Sequence, residues 1–453
     1  MFQVNILASA KKIRDKIREI GVFQTVGSIV HKSLVNVNSF FTDTESRLRL
    51  MITTRTTKTP LPISPISHQI ILEGLRCKNE KIPLNHSEPA FISLDSHCLE
   101  FTWLVPFFSK GSGGHKSLFR FIKGLESIGV KCVIYIVGEY EYDLRLTPEK
   151  IKQKIWQYFE TIEAEVKIYS SDSTDKKANI LVSTSWITAY AALTFNADKK
   201  VYFVQDYEPS FYSMGSYWYL AEATYHFGYH HVTLGIWLTN LLKQKYDITS
   251  DYYNIVVDRD IYYPREKINN KNIKLIGSDD NFKICFYGRS VTPRRCFELV
   301  VMALHLFSEQ VKDKDITLIC FGWNKIPPLP FNCYNLGVLT PGDLAELYSV
   351  CDICIAPSAT NLSLVANEVM ACGCILMDID AENTLYDLHH LENSYLVKPD
   401  PQSIYEGLLH LYNDRQLLEK LKVSSLGFAL SSPTWQSQVD KFYNLVTRQE
   451  KAT

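Results

Sequence analysis

The sequence predicts an α/β protein with two successive doubly wound parallel sheets. From residue 99 onward, apolar runs of strand length alternate with amphipathic helical stretches, the pattern of a parallel sheet with helices on both faces. This alternation breaks at the polar stretch 262–280 and then restarts. The length of 453 residues also exceeds what one hydrophobic core usually serves. We therefore predict one domain at 99–260 and a second at 261–432.

Each predicted strand is a short apolar run followed by polar or glycine residues. In the first domain these runs lie at 99–106, 130–138, 179–184, 200–206, 232–235 and 251–256, with helices at 117–128 and 148–162. In the second they lie at 282–288, 316–322, 352–356 and 394–397, with helices starting at 293, 341 and about 363. Because ligands of such sheets bind outside the carboxyl ends of the strands, residues just after each strand are the candidates for function.

Composition narrows the class of partner and the location. The formal net charge of -1 gives no overall field that would attract nucleic acid. We find no strongly apolar run of about 18 residues and no secretory signal pattern. The 11 cysteines are scattered, which is typical of reduced thiols. These features predict a cytoplasmic protein.

Residues 1–98 form a basic extension with two open interpretations. Ile6, Ile13, Ile17 and Ile20 lie on one helical stripe, with lysines and arginines elsewhere around it. Such a helix either covers the domain surface or makes a peripheral contact with the anionic inner face of the cell membrane. Residues 53–89 are rich in Thr, Ser and Pro and predict a connector.

A glycine-rich turn follows the first strand. Gly113 and Gly114 would let backbone N–H groups approach a phosphate or a sugar at the start of a helix. A plain strand-to-helix turn explains the same glycines. His115 is correspondingly either a ligand contact or a helix-start residue.

Acidic and aromatic side chains follow the fourth strand. Asp206, Tyr207 and Glu208 come directly after the apolar run, and Tyr212 and Glu222 lie further on. Such side chains suit hydrogen bonds to sugar hydroxyls and stacking on a sugar face, whereas the alternative is core aromatics with solvated acids. A strand ending on Asp206 disfavours that alternative, because an unpaired buried carboxylate is costly.

Arginines follow the first strand of the second domain. Arg289 ends that strand and Arg294 opens the next helix, an arrangement that suits a diphosphate because guanidinium groups bind phosphate in a bidentate way. The neighbouring Arg295 has the alternative of a surface ion pair. Lys325, after the strand at 316–322, is a further candidate on the nucleotide side.

The stretch 352–373 carries a strand, a loop and a helix. Backbone N–H groups near Ser363 and Leu364 would face a diphosphate, helped by the helix dipole, and Glu368 would accept hydrogen bonds from a ribose. Cysteine pairs at 351/354 and 372/374 lack the spacing of a zinc ribbon, so we predict no metal site.

These motifs together resemble a known family. Residues 288–298, 344–352, 357–358, 368–373 and 432–435 resemble the family 4 glycosyltransferases of GT-B fold, and residues 203–209 and 321–323 look like the bacterial rhamnosyltransferases that build cell-surface polysaccharides such as O-antigen. The resemblance implies two Rossmann-like domains facing across a cleft, and a final helix at 433–453 that returns to the first domain. One departure is Thr360, which stands where most of the broader family has a first glutamate, eight positions before Glu368.

The resemblance implies transfer of L-rhamnose, or a related deoxyhexose, from a dTDP-sugar to a growing glycan. This acceptor glycan can be linked to a lipid. The resemblance further implies retention of configuration and no metal or other cofactor. In this scheme Arg289 and Arg294 neutralise the leaving diphosphate, and Asp206, Tyr207 and His115 orient hydroxyls at the reaction centre. Glu208, Tyr212 and Glu222 are assigned to the acceptor. Two alternatives are a nucleotide-sugar epimerase of the same fold and a catalytically inactive glycan-binding scaffold.

Overall fold

The computed structural model describes residues 65–81, 99–138, 146–170, 178–278, 280–311 and 315–448. The basic helix and the membrane contact predicted for the N-terminal extension lie outside these residues. Within them the predicted class is confirmed, because two parallel sheets follow one another along the chain, each with helices on its faces.

The first sheet has seven parallel strands in the described part of the chain, in the order β3-β2-β1-β4-β5-β6-β7. The strands are β1 Glu100–Pro106, β2 Lys131–Val137, β3 Glu165–Ile168, β4 Ala178–Ser183, β5 Ala197–Val204, β6 His230–Leu234 and β7 Asp251–Tyr253. The accompanying helices are α1 Pro65–Lys81, α2 Gly113–Ser127, α3 Pro148–Tyr158, α4 Trp186–Ala192, α5 Ser216–Ala223 and α6 Ile236–Tyr246.

The second sheet has six parallel strands among the described residues, in the order β10-β9-β8-β11-β12-β13. The strands are β8 Phe282–Tyr287, β9 Ile316–Phe321, β10 Tyr334–Asn335, β11 Ile353–Ile355, β12 Ile375–Ile379 and β13 Tyr395–Val397. The helices are α7 Lys271–Ile276, α8 Phe297–Val311, α9 Pro341–Val350, α10 Leu364–Ala371, α11 Pro401–Asn413, α12 Arg415–Ser431 and α13 Trp435–Thr447.

Local sequence explains where the helices begin. Thr340, Ser363, Asp400 and Thr434 each precede a helix and accept a hydrogen bond from a backbone N–H of its first turn. The central strands are apolar on both faces because helices cover both sides of the sheet, so burial along β1, β8 and β9 is almost continuous.

Helix α13 packs on the first domain. Phe442 is fully buried, and its ring lies within 6.4 Å of the rings of Phe101, Trp103, Phe121 and Phe203. Gly124 of α2 gives the helix room, because a methyl group at this position would lie 2.5 Å from Val439 Cγ2. The chain therefore crosses back after the second sheet and completes the core of the first.

The structure differs from the predicted elements in several places. Part of the predicted connector 53–89 is helix α1, which packs on α4. Strands β3, β10 and β12 were not predicted. The helix predicted from residue 293 begins with the 3-10 turn Pro293–Arg295, and the left-handed backbone of Cys296 separates this turn from α8.

Candidate active site

The glycine-rich turn of the first domain faces the start of α10 in the second. A methyl group on Gly113 would lie 3.8 Å from Leu364 Cδ1, and one on Gly111 would lie 3.4 Å from Val338 Cγ1. Gly111 has a φ of +83°, the left-handed region that favours glycine. Two predicted donor-site elements from opposite domains are thus brought together.

Asp206 is bound by the second domain. Its carboxylate accepts hydrogen bonds from Thr360 Oγ1 at 3.0 Å and from the backbone N–H of Asn361 at 2.9 Å. Arg294 Nε lies 3.4 Å from the same carboxylate, and the N–H of Tyr207 donates to it at 2.8 Å. Asp206 therefore lies between the two domains, where its oxygens are engaged by protein groups.

Asn361 anchors the same loop to the first domain. Its Nδ2 donates to the carbonyl oxygens of Gln205 at 3.0 Å and of Leu234 at 2.9 Å, which lie at the carboxyl ends of β5 and β6. The loop between β11 and α10, which belongs to the second domain, is therefore hydrogen-bonded to the ends of two strands of the first sheet.

Glu368 also has a partner from the opposite domain. Lys116 Nζ, from the first turn of α2, lies 3.3 Å from Glu368 Oε1 and 3.2 Å from the hydroxyl of Tyr262. Glu368 is largely buried. The predicted ribose ligand is thus paired with a cation that the sequence analysis did not select.

The two arginines of the predicted clamp lie over aromatic rings. The guanidinium carbon of Arg289 is 5.2 Å from the ring centre of Trp323, and that of Arg294 is 4.2 Å from that of Phe211. The Nε of Arg289 is buried and has no hydrogen-bond partner among the described residues. Burial lowers the pKa of Arg294 below its usual value, and the charge of Asp206 opposes this shift only in part. The site therefore holds two guanidinium groups whose hydrogen-bond donors the described residues pair only in part.

A buried hydrogen-bond network fixes the loop that leads into α10. Ser358 Oγ accepts hydrogen bonds from Arg295 Nη1 at 2.9 Å and from the Ser363 N–H at 3.3 Å. The N–H of Ser358 donates to Asp378 Oδ1 at 2.8 Å. Burial raises the pKa of Asp378 to about 7. Arg295 is thus a positioning residue, since it bonds to the hydroxyl that holds the start of α10.

Glu208 lies inside the first domain, not in the cleft. Its carboxylate accepts hydrogen bonds from the N–H of Trp186, at the start of α4, and from the hydroxyl of Tyr202 at 3.1 Å. Burial raises the pKa of Glu208 to about 8. The interpretation of Glu208 as an acceptor ligand is therefore corrected, because the carboxyl group caps a helix.

His115 is engaged within its own domain. Its Nδ1 lies 2.7 Å from Ser112 Oγ and its Nε2 lies 3.2 Å from the carbonyl oxygen of Pro106. Burial lowers the pKa of His115 to about 4, so the ring is neutral at pH 7. This geometry favours the helix-start interpretation over a contact with substrate.

Tyr207 and Glu222 share a network centred on Lys245. Glu222 Oε1 accepts from the Tyr246 hydroxyl at 2.7 Å and lies 3.1 Å from Lys245 Nζ. That Nζ also bonds to the hydroxyl of Tyr207 and lies 4.5 Å from the ring centre of Trp218. Of the other predicted residues, Tyr212 accepts a hydrogen bond at its hydroxyl from the indole of Trp186 at 3.0 Å, and Lys325 is exposed.

The described residues show neither a metal cluster nor a helix that could span a membrane. They contain no group of three His, Cys, Asp or Glu side chains with the geometry of a metal site. None of their helices combines the length and the apolar character needed to cross a bilayer. Metal independence of the site stays a prediction.

The chain is similar in sequence to glycosyltransferases. Residues 281–414 match the family described as "Glycosyl transferases group 1", and residues 130–235 match the one described as "WsaF, N-terminal domain". The O-antigen biosynthesis protein RfbC of Myxococcus xanthus is 25% identical over 352 residues, which cover 75% of this chain and 26% of that protein. The chain thus spans about a quarter of that relative's length.

Solved structures share the fold. HepE from Anabaena, in complex with UDP and glucose, aligns with a TM-score of 0.60 at 14% identity, over 78% of this chain and all of that one. TarM aligns with a TM-score of 0.61 at 10% identity, over 77% of this chain and 99% of that one. These neighbours support the GT-B fold, and the group 1 match agrees with the predicted class of enzyme.

Proposed function

We propose that this protein is a glycosyltransferase that moves a sugar from a nucleotide-activated donor to a growing cell-surface polysaccharide. The group 1 match in the second domain and the similarity to RfbC support this function. Arg289 carries the proposal, because its guanidinium lies at the carboxyl end of β8 with a buried Nε that has no hydrogen-bond partner in the described chain. A diphosphate would supply the missing acceptor oxygens.

The proposed chemistry assigns a role to each side of the cleft. Arg289 and Arg294 bind the diphosphate and stabilise the charge that develops as it leaves. The N-terminus of α10, near Ser363 and Leu364, adds backbone donors and the positive end of its dipole. Glu368 accepts hydrogen bonds from the ribose.

The finer assignment follows the sequence resemblance. We propose a dTDP-activated L-rhamnose or related deoxyhexose as donor, retention of configuration and no required metal. The acceptor is a glycan, and this glycan can be linked to a lipid at the inner face of the membrane. Tyr207, which follows Asp206 in the chain, and Glu222, which shares the network around Lys245, are the residues that we assign to acceptor hydroxyls.

Thermal unfolding with dTDP, UDP, GDP and NAD, each in turn, tests the donor site. A ligand present at 100 times its Kd adds about 2.7 kcal/mol to the stability of the native state. We expect dTDP to raise the Tm most and Arg289→Ala to abolish that shift. Arg415→Ala is the matched control, because Arg415 also lies over an aromatic ring, that of Phe282 at the opposite end of β8.

The other outcomes are equally informative. A selective shift with UDP or GDP retains the glycosyltransferase and discards the dTDP-sugar. Release of nucleoside diphosphate from the donor without any glycan product favours the epimerase. No shift with any nucleoside diphosphate contradicts the proposed donor site and favours the inactive scaffold.

A further inference from the structure

Two of the charged groups that the second domain offers the donor are paired with opposite charges of the first domain. Arg294 lies 3.4 Å from Asp206, and Glu368 lies 3.3 Å from Lys116. These side chains are 10–28% exposed, so solvent screens the pairs only in part. Each pair crosses the cleft at a group that the proposed donor must contact.

The groups around Asp206 are those that bind an oxyanion. A guanidinium, the hydroxyl of Thr360 and the backbone N–H of Asn361 converge on the two carboxylate oxygens, and both hydrogen bonds are 2.9–3.0 Å long. Phosphate oxygens use the same kinds of donor. The Asp206 carboxylate thus occupies a cradle with the chemistry of a phosphate site.

Lys116 has the corresponding position at Glu368. Its ammonium group donates to the carboxylate that a ribose hydroxyl would use, and the hydroxyl of Tyr262 supports it at 3.2 Å. The ammonium and a ribose hydroxyl are both hydrogen-bond donors, so a ribose hydroxyl that binds Glu368 at Oε1 has to compete with Lys116 for this oxygen.

We propose that Asp206 and Lys116 are internal competitors of the nucleotide-sugar donor. In the ligand-free protein Asp206 fills the phosphate cradle at Arg294, and Lys116 occupies the ribose carboxylate Glu368. Donor binding displaces both side chains and so breaks two links between the domains. This inference rests on the proposed function and identifies the residues that set donor affinity from the opposite domain.

Occupation of the donor site by the protein's own side chains lowers its apparent affinity for the nucleotide-sugar. The observed Kd equals the intrinsic value divided by the fraction of protein whose site is open, so removal of a competitor lowers the observed Kd. Asp206→Asn keeps the shape of the side chain and removes the charge that pairs with Arg294. Lys116→Met keeps the aliphatic stem and removes the ammonium.

Isothermal titration with dTDP, UDP and GDP measures the effect. For the nucleoside diphosphate that binds tightest, we expect Asp206→Asn and Lys116→Met each to lower the Kd about 3- to 10-fold. We also expect each to lower the ligand-free Tm, because an interdomain link is lost. A merely structural role would lower the Tm and weaken binding. A lower Tm together with tighter binding is therefore diagnostic of a competitor.

Matched controls have ion pairs outside the cleft. Asp251→Asn removes a carboxylate that pairs with Arg448 at 2.5 Å, at the start of β7. Lys123→Met removes a cation on the same helix as Lys116, paired with Glu160 at 2.9 Å. Both controls should leave the Kd unchanged.

The result separates this inference from the function on which it rests. Binding to the wild type that Arg289→Ala abolishes, together with an unchanged or raised Kd in both competitor variants, overturns the inference alone. Absence of binding to the wild type and to both competitor variants overturns the proposed donor site itself. Binding that appears only in the competitor variants supports both.

Discussion

Glu208→Gln should alter the pH dependence of stability. Glu208 is 7% exposed, and its carboxyl group accepts hydrogen bonds from the N–H of Trp186 and the hydroxyl of Tyr202. Burial raises the pKa of Glu208 from 4.5 to about 8, so the folded protein keeps this group protonated at neutral pH. A glutamine has nearly the same shape as the protonated acid and does not titrate.

The sign and size of the effect follow from proton linkage. Between pH 4.5 and about 8 the folded protein binds a proton at Glu208 that the unfolded chain has released. Its contribution to stability is therefore full below pH 4.5 and is lost as the pH rises, by about 1.4 kcal/mol per pH unit. Between pH 5.5 and 7.5 the wild type should lose ~3 kcal/mol relative to the variant.

Urea unfolding at pH 5.5, 6.5 and 7.5, followed by tryptophan fluorescence, measures this difference. Burial lowers the pKa values of His115 and His231 to about 4, and their opposite pH dependence is common to both proteins and cancels in the comparison. Glu298→Gln, which changes an exposed carboxyl group in the first turn of α8, is the control for the substitution itself. Parallel curves for Glu208→Gln and the wild type would refute the assignment of Glu208 as a protonated helix cap.

Two further predictions concern the return of α13 to the first domain. Phe442→Ala removes a fully buried ring that contacts four aromatic side chains, so it should lower the free energy of unfolding by about 3–5 kcal/mol, measured by urea unfolding. The control is Asn444→Ala, which changes an exposed residue of the same helix. An equal loss in both variants would contradict the packing of Phe442. Gly124→Val should lower the Tm, with a cost of about 1–3 kcal/mol, because even a Cβ there lies 2.5 Å from Val439 Cγ2. Val439→Ala combined with Gly124→Val should restore part of the loss. As a control, Gly427→Ala, in open space on α12, should instead raise stability by about 0.5–1 kcal/mol. A loss of the same size at both glycines would show that the close approach to Val439 is not the cause.

Sequence periodicity was sufficient for the class of fold. Runs such as 282–288 and 316–322 are continuously apolar because helices cover both faces of a parallel sheet, and that signal is local to each run. The short strands β3 and β10, of four and two residues, carry too few side chains to show a pattern. Helix α1 was missed because the Thr, Ser and Pro around it outweigh its weak apolar stripe.

Sequence also placed candidate residues at the carboxyl ends of strands, because ligands of parallel sheets bind at that edge. That rule selected Asp206, Arg294 and Glu368, each of which has an ion-pair partner in the opposite domain. It could not identify their partners. Thr360 is 154 positions from Asp206, and Lys116 is 252 positions from Glu368, and no local pattern joins residues so far apart.

Burial was the other property that only the tertiary structure decided. Asp206 and Glu208 are two positions apart and look alike in the sequence, yet one carboxylate faces Arg294 across the cleft and the other caps α4 inside the domain. Their different environments arise because the backbone turns into a 3-10 helix at Glu208 and directs this side chain into the core. The sequence by itself determined which residue types stand at the edge of each sheet, and packing decided which of them remain available to a ligand.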